Sequence, residues 1–183
     1  MLSRIAAALI AAFLLMPLAA SAETLDPENT IYLDVPAGRV VIRLRPDLAP
    51  NHVARIKELT RRGFYDGTPF HRVIPGFMAQ GGDPTGSGTG GSDLPDLKAE
   101  FSDTPFTRGT LGMARSDDPN SANSQFFICY GDAPWLNGQY TVWGEVVSGM
   151  EFVDALKKGT DQSGVVDNPD HIVKMQVAAD AKQ

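Results

Sequence analysis

The segment between residues 70 and 147 limits the fold class of this chain, because four short β-rich runs follow one another there with no predicted helix between them. Gly, Pro, Asp, Asn and Ser separate the runs, as expected for short strands joined by turns. This pattern favours a barrel or a sandwich, whereas a parallel sheet would need a helix after each strand. The predicted strands are residues 70–74, 109–114, 125–130 and 140–146.

The flanking segments complete a mostly antiparallel β domain. Residues 30–35 and 39–44 alternate in polarity on either side of a Pro-Ala-Gly turn, which predicts a hairpin. Residues 50–62 and 150–158 repeat apolar side chains at helical spacing, and a glycine follows each segment. Residues 171–177 alternate again and predict a closing strand. The two helices are expected to cover the ends of the β structure.

Residues 1–22 have the composition of a secretory signal. Arg4 precedes an unbroken apolar run at residues 5–16, and Ala20-Ser21-Ala22 offers a small-x-small cleavage site. The run is shorter than the roughly 20 apolar residues of a membrane span, so an uncleaved anchor is the weaker alternative. Cleavage after Ala22 predicts a mature domain of residues 23–183 with no stable membrane anchor. The short alanine-rich run indicates export to a bacterial periplasm.

The charge and the cysteine content limit the function classes. Sixteen basic residues against 22 acidic residues give a net charge of −6. Nucleic acid and anionic membrane surfaces need a basic face, so neither is expected as the main partner. One cysteine cannot form an internal disulfide, and with three scattered histidines it does not make a zinc site. That cysteine, Cys129, follows bulky apolar residues, and we expect an inert buried thiol rather than a nucleophile.

Two motifs resemble functional sites but lack the context that would give them meaning. Gly86, Gly88 and Gly91 satisfy G-x-G-x-x-G, yet no strand precedes them, no helix follows, and no Lys-Ser/Thr ends the loop. A glycine-rich surface loop is therefore expected instead of a nucleotide site. The pair Asp117-Asp118 precedes Pro-Asn and is expected to be a solvated turn rather than a catalytic acid pair.

Residues 70–82 combine apolar bulk with two polar side chains. Arg72 and Gln80 lie within a few residues of Phe77 and Met78. Burying an arginine without an anionic partner is costly, so Arg72 is predicted to face a groove. The alternative is that these aromatic and aliphatic residues form ordinary core.

Four blocks of sequence follow one another along the chain: FHRVIPGFM with QGG at residues 70–82, LGMA at 111–114, NSQFFI at 123–128 and WLNG at 135–138. Together they resemble the cyclophilin-type peptidyl-prolyl cis-trans isomerases, over nearly all of the mature chain. The resemblance implies a closed eight-stranded antiparallel β-barrel capped by two α-helices. It also implies an enzyme that accelerates X–Pro bond rotation in exported polypeptides and assists their folding, without metal or cofactor.

The resemblance assigns roles by position. Arg72 matches the family's catalytic arginine, which implies a hydrogen bond to the prolyl nitrogen in the twisted transition state. Trp135 matches the aromatic residue associated with cyclosporin sensitivity, so cyclosporin is a candidate ligand beside proline-containing polypeptides. The implied substrate-binding residues are Phe77, Met78, Gln80, Ala114, Gln125, Phe127, Trp135, Leu136 and Tyr140, of which Phe77, Met78, Phe127 and Leu136 line the proline pocket.

Two positions depart from the pattern of the family. Arg115 stands where many members carry Asn, and Tyr140 stands where they often carry His. Tyr140 still offers an apolar ring and a polar tip, so we expect changed affinity more than lost activity. Next to the catalytic arginine, His71 is expected to point away from Arg72 and to be held by structural hydrogen bonds.

Competing functions remain at the level of sequence. The leading hypothesis is an exported prolyl isomerase, and intact Arg72, Phe77, Gln80 and Phe127 favour it. The second is a module that holds proline-containing segments without turnover. The sequence contains no catalytic motif that would support a hydrolase or a redox enzyme. An acidic domain of this size is expected to be a monomer.

Overall fold

The computed structural model describes residues 24–182. The predicted signal peptide, residues 1–22, lies outside the described residues. The strands are β1 (Thr30–Val35), β2 (Gly38–Leu44), β3 (Arg72–Ile74), β4 (Met78–Gly81), β5 (Thr110–Met113), β6 (Phe126–Cys129), β7 (Val142–Ser148) and β8 (Lys174–Val177). The helices are α1 (Pro50–Arg61) and α2 (Met150–Asp154), with three-residue 3-10 helices at Pro27–Asn29, Pro134–Leu136 and Ala178–Asp180.

All eight strands belong to one antiparallel sheet, in the order β3-β4-β6-β5-β7-β2-β1-β8. Within residues 24–182 no ladder joins the edge strands β3 and β8. The segments preceding them do meet, because Pro69 forms an isolated bridge with His171 and the Phe70 amide donates to the Asp170 carbonyl at 2.9 Å. The fold is therefore an eight-stranded antiparallel half-barrel with two helices, and full closure of the barrel stays a prediction.

Two local predictions need correction. Residues 78–81 form β4, which the sequence did not separate from the preceding turn. α2 ends at Asp154 instead of Lys158. The reason is that the Lys157 amide donates to the Asp170 carboxylate at 2.8 Å, and the Gly159 amide donates to the Val73 carbonyl at 3.0 Å. These long-range partners draw the chain away from the helix before its predicted end.

The main hydrophobic core lies on one face of the sheet, against α1. Alternating residues of β1 and β2 point into it, and α1 adds Val53, Ile56 and Leu59. Phe126 stands among three other aromatic rings, at 5.7 Å from Tyr65, 6.3 Å from Phe70 and 5.8 Å from Trp143, all edge-on. Of the helices within residues 24–182, none has the length and apolar character to cross a membrane.

A second and smaller hydrophobic cluster covers the opposite face of β4, β6 and β5, and we call it the outer cluster. It exists because side chains alternate between the faces of a strand. On β6, Phe126 and Ile128 enter the main core, whereas Phe127 and Cys129 point to the other side. The buried members of the outer cluster are Met78, Phe106, Phe127, Cys129, Ala133, Leu136 and Val142.

Candidate active site

A cavity of about 500 Å³ lies directly above the outer cluster. Its walls come from β3, β4, β6, the 3-10 helix Pro134–Leu136 and the loops that follow β5 and precede β7. Every predicted site residue except Gln125 lines this cavity. Those residues are Arg72, Phe77, Met78, Gln80, Ala114, Phe127, Trp135, Leu136 and Tyr140.

Arg72 is half-buried at the edge of this cavity and is held in place by neutral partners. Its Nε donates to the Ser163 carbonyl at 2.9 Å, and its Nη1 donates to the Gln80 side-chain oxygen at 3.2 Å. Arg72 and Gln80 are cross-strand neighbours, which fixes this contact. No carboxylate within residues 24–182 forms an ion pair with Arg72. A guanidinium has five N–H donors, so several stay available to a molecule in the cavity.

The side-chain amide of Gln80 connects Arg72 to a neighbouring loop through further hydrogen bonds. Gln80 Nε2 donates to Gln125 Oε1 at 2.9 Å, and Gln125 Nε2 donates to the carbonyls of Gly88 and Gly90 at 3.0 and 2.8 Å. Gln125 lines an adjoining cavity of about 540 Å³, which we call the second cavity. The chain of hydrogen bonds from Arg72 through two glutamines therefore connects the two cavities.

The floor of the first cavity is apolar and well packed. The Phe127 ring stacks on Phe106 at 5.6 Å and meets Tyr140 edge-on at 5.7 Å. Met78 and Leu136 complete the floor and are almost fully buried. Such a floor suits a small apolar ring, while the polar groups at the edge can bind a peptide backbone.

Trp135 stands at the open rim. Its side chain is 59% exposed, and its ring lies 5.5 Å from that of Phe77. Val165, which also lines the cavity, is likewise 59% exposed. A large apolar side chain exposed beside a groove is a common feature of binding sites.

Sequence reasoning missed part of the site. The Ser163 carbonyl that orients Arg72 comes from 91 residues further along the chain. Val165, Ser87 and Gly88 also line the cavity. No local motif marks these residues, since the isolated bridge between Arg72 and Val165 forms only in the folded chain.

The structural role of His71 stays a prediction. The residue lines the same cavity as Arg72, and neither ring nitrogen has a hydrogen-bond partner among the described residues. Burial lowers the pKa of His71, although the charge of Asp83 and the backbone of Pro69 act in the opposite direction. The backbone of Pro69 is the candidate partner for the structural hydrogen bond predicted for His71. Strand alternation over the predicted residues 70–74 would place Phe70 on the same face as Arg72. Phe70 instead packs in the main core, because β3 begins only at residue 72.

The glycine-rich loop after β4 is organised around its own carboxylate. Asp83 is fully buried and accepts hydrogen bonds from the amides of Thr85, Gly88 and Gly90 at 2.8, 2.7 and 3.1 Å. Burial alone would raise the pKa of Asp83, but the Thr85 hydroxyl and these amides outweigh burial and lower the pKa to about 2. The amides that a phosphate would use are thus occupied by Asp83, in agreement with the predicted surface loop.

Cys129 lies in the outer cluster with no exposed surface. Burial raises the pKa of its thiol to about 12. A thiolate is the reactive form of cysteine, so this thiol is inert at neutral pH. The prediction of a buried thiol is confirmed.

Residues 30–177 match the family model described as cyclophilin type peptidyl-prolyl cis-trans isomerase/CLD. This chain belongs to that family. A protein of Brucella suis named probable peptidyl-prolyl cis-trans isomerase is 56% identical over 186 residues, covering 94% of this chain and 95% of the relative. Peptidyl-prolyl cis-trans isomerase B of Bacillus subtilis is 45% identical over 123 residues, covering 66% and 85% of the two chains.

Solved structures of cyclophilins share the fold. A cyclophilin from Hirschia baltica superimposes with a TM-score of 0.78 at 29% identity, covering 86% of this chain and 77% of that one. A cyclophilin-type isomerase of Cryptosporidium parvum, crystallised in the presence of the dipeptide Ala-Pro, gives a TM-score of 0.75 at 31% identity. That match covers 81% of this chain and 98% of the other. The chain is accordingly a peptidyl-prolyl cis-trans isomerase of the cyclophilin type.

Proposed function

We propose that this cyclophilin accelerates X–Pro rotation in exported polypeptides, with Arg72 as the catalytic residue. The observation that carries the proposal is the geometry of Arg72. Two neutral oxygens hold the guanidinium, no carboxylate among the described residues neutralises it, and it borders an apolar cavity. Its remaining N–H groups can therefore act on a bound substrate.

The reaction requires only a group that favours the twisted amide. Rotation about a peptide bond has a barrier of about 18–20 kcal/mol because the amide must lose its resonance. In the twisted state the prolyl nitrogen regains its lone pair and becomes a hydrogen-bond acceptor. A guanidinium donor aimed at that nitrogen binds the transition state better than the planar ground state, and such differential binding accelerates the reaction. No bond is made or broken.

The apolar floor performs the second task, which is to hold the proline ring. We assign this role to Phe77, Met78, Phe127 and Leu136. These side chains offer no hydrogen bonds to a planar amide, and the twisted amide is less polar than the planar one, so the site favours rotation. The presence of Ala-Pro with the Cryptosporidium parvum relative supports a proline peptide as the ligand class.

The polar edge is proposed to orient the backbone of the peptide. Gln80 donates one side-chain N–H to Gln125, and its other side-chain N–H is available to a peptide carbonyl. Both N–H groups of Gln125 are occupied by the carbonyls of Gly88 and Gly90. Gln125 therefore acts as a positioning residue for Gln80. Ala114 lines both cavities, and its small side chain leaves space for a peptide between them.

Cellular placement belongs to the same proposal. Cleavage of residues 1–22 would deliver the domain to the periplasm, where its clients would be exported chains whose folding waits on slow X–Pro isomerisation. Mass spectrometry of the protein from a periplasmic fraction should then give an N-terminus at Glu23. A protein found only in the cytoplasm with residues 1–22 intact would contradict export. Trp135 at the rim makes cyclosporin a candidate inhibitor, and inhibition at micromolar drug tests that role.

Exchange NMR on an Ala-Pro peptide tests the activity and the role of Arg72 together. We expect the mature chain to accelerate cis-trans exchange strongly and Arg72→Ala to abolish most of the acceleration. Arg39→Ala is the matched control, because Arg39 is an exposed arginine paired with Asp34 on the β1–β2 hairpin. Peptide binding without faster exchange in the wild type would make the domain a holder of proline segments. Full activity of Arg72→Ala would exclude Arg72 as the catalytic residue.

A further inference from the structure

The two cavities share one wall. Gln80, Gly88, Ala114 and Arg115 line both the first cavity and the second cavity. Of these shared residues only Arg115 carries a charge. A peptide that places its proline over the outer cluster and extends towards the second cavity must pass beside this side chain.

The Arg115 side chain is fixed by contacts with both neighbouring loops. Its Nη1 donates to the Ser116 carbonyl at 2.8 Å, and its Nε and Nη2 donate to the Gln139 carbonyl at 3.2 and 3.0 Å. The guanidinium also lies 4.4 Å from the centre of the Tyr140 ring. A cation over an aromatic face is attracted to it. Arg115 is therefore held rigidly against the ring that packs edge-on against Phe127.

The charge of Arg115 is not neutralised locally. Other arginines of the chain form ion pairs, such as Arg39 with Asp34 at 2.7 Å and Arg45 with Asp47 at 2.7 Å. No carboxylate within residues 24–182 lies within ion-pair distance of Arg115. All its observed acceptors are carbonyls, which carry no net charge, and one Nη2 hydrogen has no partner among the described residues. A full positive charge thus faces the groove of a protein with a net charge of −6.

The acidic groups nearby are arranged differently. Asp118 accepts the Asn120 amide at 2.8 Å and lies in the exposed turn after Arg115. Asp96 lines the second cavity, but not the first, and accepts the Asn123 side-chain amide at 2.9 Å. The lining of the first cavity includes Arg72 and Arg115 and no carboxylate, whereas Asp96 borders only the second cavity.

We propose that Arg115 is a specificity-determining residue that selects proline peptides with an acidic side chain next to the Ala-Pro unit, at the boundary between the two cavities. This inference rests on the proposed function, since it concerns the peptide that the isomerase binds. The carboxylate would accept from the free Nη2 hydrogen and gain from the unneutralised charge. Lysine at the same place is repelled.

The test is a peptide series in which the Ala-Pro bond is constant, so that the uncatalysed rate stays unchanged. Glu, Gln or Lys is placed in turn at the second residue before proline, the third residue before proline, or the residue after it. Exchange NMR gives kcat/KM, and chemical-shift titration gives Kd. The variants are Arg115→Gln, Arg115→Lys, Asp96→Asn and the distant control Arg39→Gln, which has the same change of charge as Arg115→Gln.

We expect kcat/KM for Glu to exceed that for Lys by about tenfold at one of the three positions in low salt, and the ratio to shrink in about 0.5 M NaCl. Arg115→Gln reduces the ratio to about twofold or less, Arg115→Lys retains most of it, and Asp96→Asn increases it. Arg39→Gln leaves the ratio unchanged. Retention by the lysine variant identifies charge, rather than the packing of Tyr140, as the cause.

The same wild-type ratio in Arg115→Gln, or no charge preference at any position, would overturn the inference. The Gln peptides separate this failure from a failure of the proposed function, because their exchange measures activity without the charge. If no peptide is turned over, the Kd values for Glu and Lys decide the charge preference by themselves.

Discussion

The two faces of β4, β6 and β5 show how the same short strands serve stability and binding at once. On β6 the inner face carries Phe126 and Ile128 into the main core, and the outer face carries Phe127 and Cys129 into the outer cluster, where Phe127 borders the cavity. Phe126 is enclosed by three aromatic rings, whereas Phe127 has two ring partners and borders open space. One residue of sequence separates the two environments, since strand side chains alternate.

Burial alone therefore does not distinguish a core residue from a site residue. Phe126 and Phe127 are 0% and 5% exposed, so both would be counted as core. The outer face differs from the inner face in its polar neighbours, because the hydrogen-bonded side chains of Arg72 and Gln80 line the same cavity as Phe127. An apolar floor with convergent polar groups at its edge is a binding site.

Replacing the two neighbouring phenylalanines tests this separation most strongly. Phe126→Ala should lower the free energy of unfolding by about 3–5 kcal/mol, as expected for an aromatic side chain removed from a closed core. Phe127→Ala should cost less than half of that, since water can enter from the cavity, but it should abolish most peptide binding. Urea unfolding and peptide titration measure the two effects. Equal stability losses with peptide binding intact in Phe127→Ala would contradict the separation.

A substitution at Gly112 would disturb the packing of the outer cluster without touching the residues of the main core named above. A Cβ at this position would lie 2.7 Å from Phe106 Cε1 and closer still to Phe127 Cζ. We expect Gly112→Ala to displace the Phe127 ring, to reduce kcat/KM by about tenfold, and to cost about 1–3 kcal/mol of stability. Gly131→Ala is the control, since its Cβ would meet only the Gly76 carbonyl at 3.6 Å. Normal turnover by Gly112→Ala would show that the position of Phe127 does not matter.

Asp83 supplies the smallest effect, which appears in the pH dependence of stability. Its pKa is about 2 in the fold against 3.8 for an ordinary aspartate. Because the folded value is depressed, the stabilisation of about 2 kcal/mol is complete above pH 3.8 and is lost as the pH falls through 2. Asp83→Asn should lose this contribution at neutral pH and flatten the acid slope relative to the wild type. Urea unfolding from pH 2 to 7 measures both slopes, and an unchanged slope in Asp83→Asn would refute the assignment.

Sequence alone predicted most of the elements, and all the predicted site residues except Gln125 line one cavity. The hairpin, α1 and the strands from β5 to β8 follow from alternation and turn residues, and the blocks around Arg72 and Phe127 brought the lining of the cavity together. β4 was missed because Met78–Gly81 is four residues long and ends in glycine. Strand alternation placed Phe70 on the wrong face because β3 begins only at Arg72.

The remaining features depend on contacts between distant parts of the chain. The Ser163 carbonyl on Arg72, the Asp170 carboxylate on the Lys157 amide and the Gln125 bonds to Gly88 and Gly90 all form only after folding. A pattern of neighbouring residues contains no information about such partners. For the same reason the sequence marked Arg115 as unusual without indicating that it lies over Tyr140.

Binding and turnover in Arg72→Ala separate stabilisation of the transition state from ordinary binding of the peptide. The peptide Kd from chemical-shift titration and the exchange rate at saturating peptide are obtained on the same samples of wild type, Arg72→Ala and Arg39→Ala. If Arg72 stabilises the twisted amide, the rate falls by about 100-fold or more while Kd changes by less than about threefold. A Kd that rises in proportion to the loss of kcat/KM, with the saturated rate unchanged, would make Arg72 a group that binds ground state and transition state alike. That result would contradict the proposed mechanism.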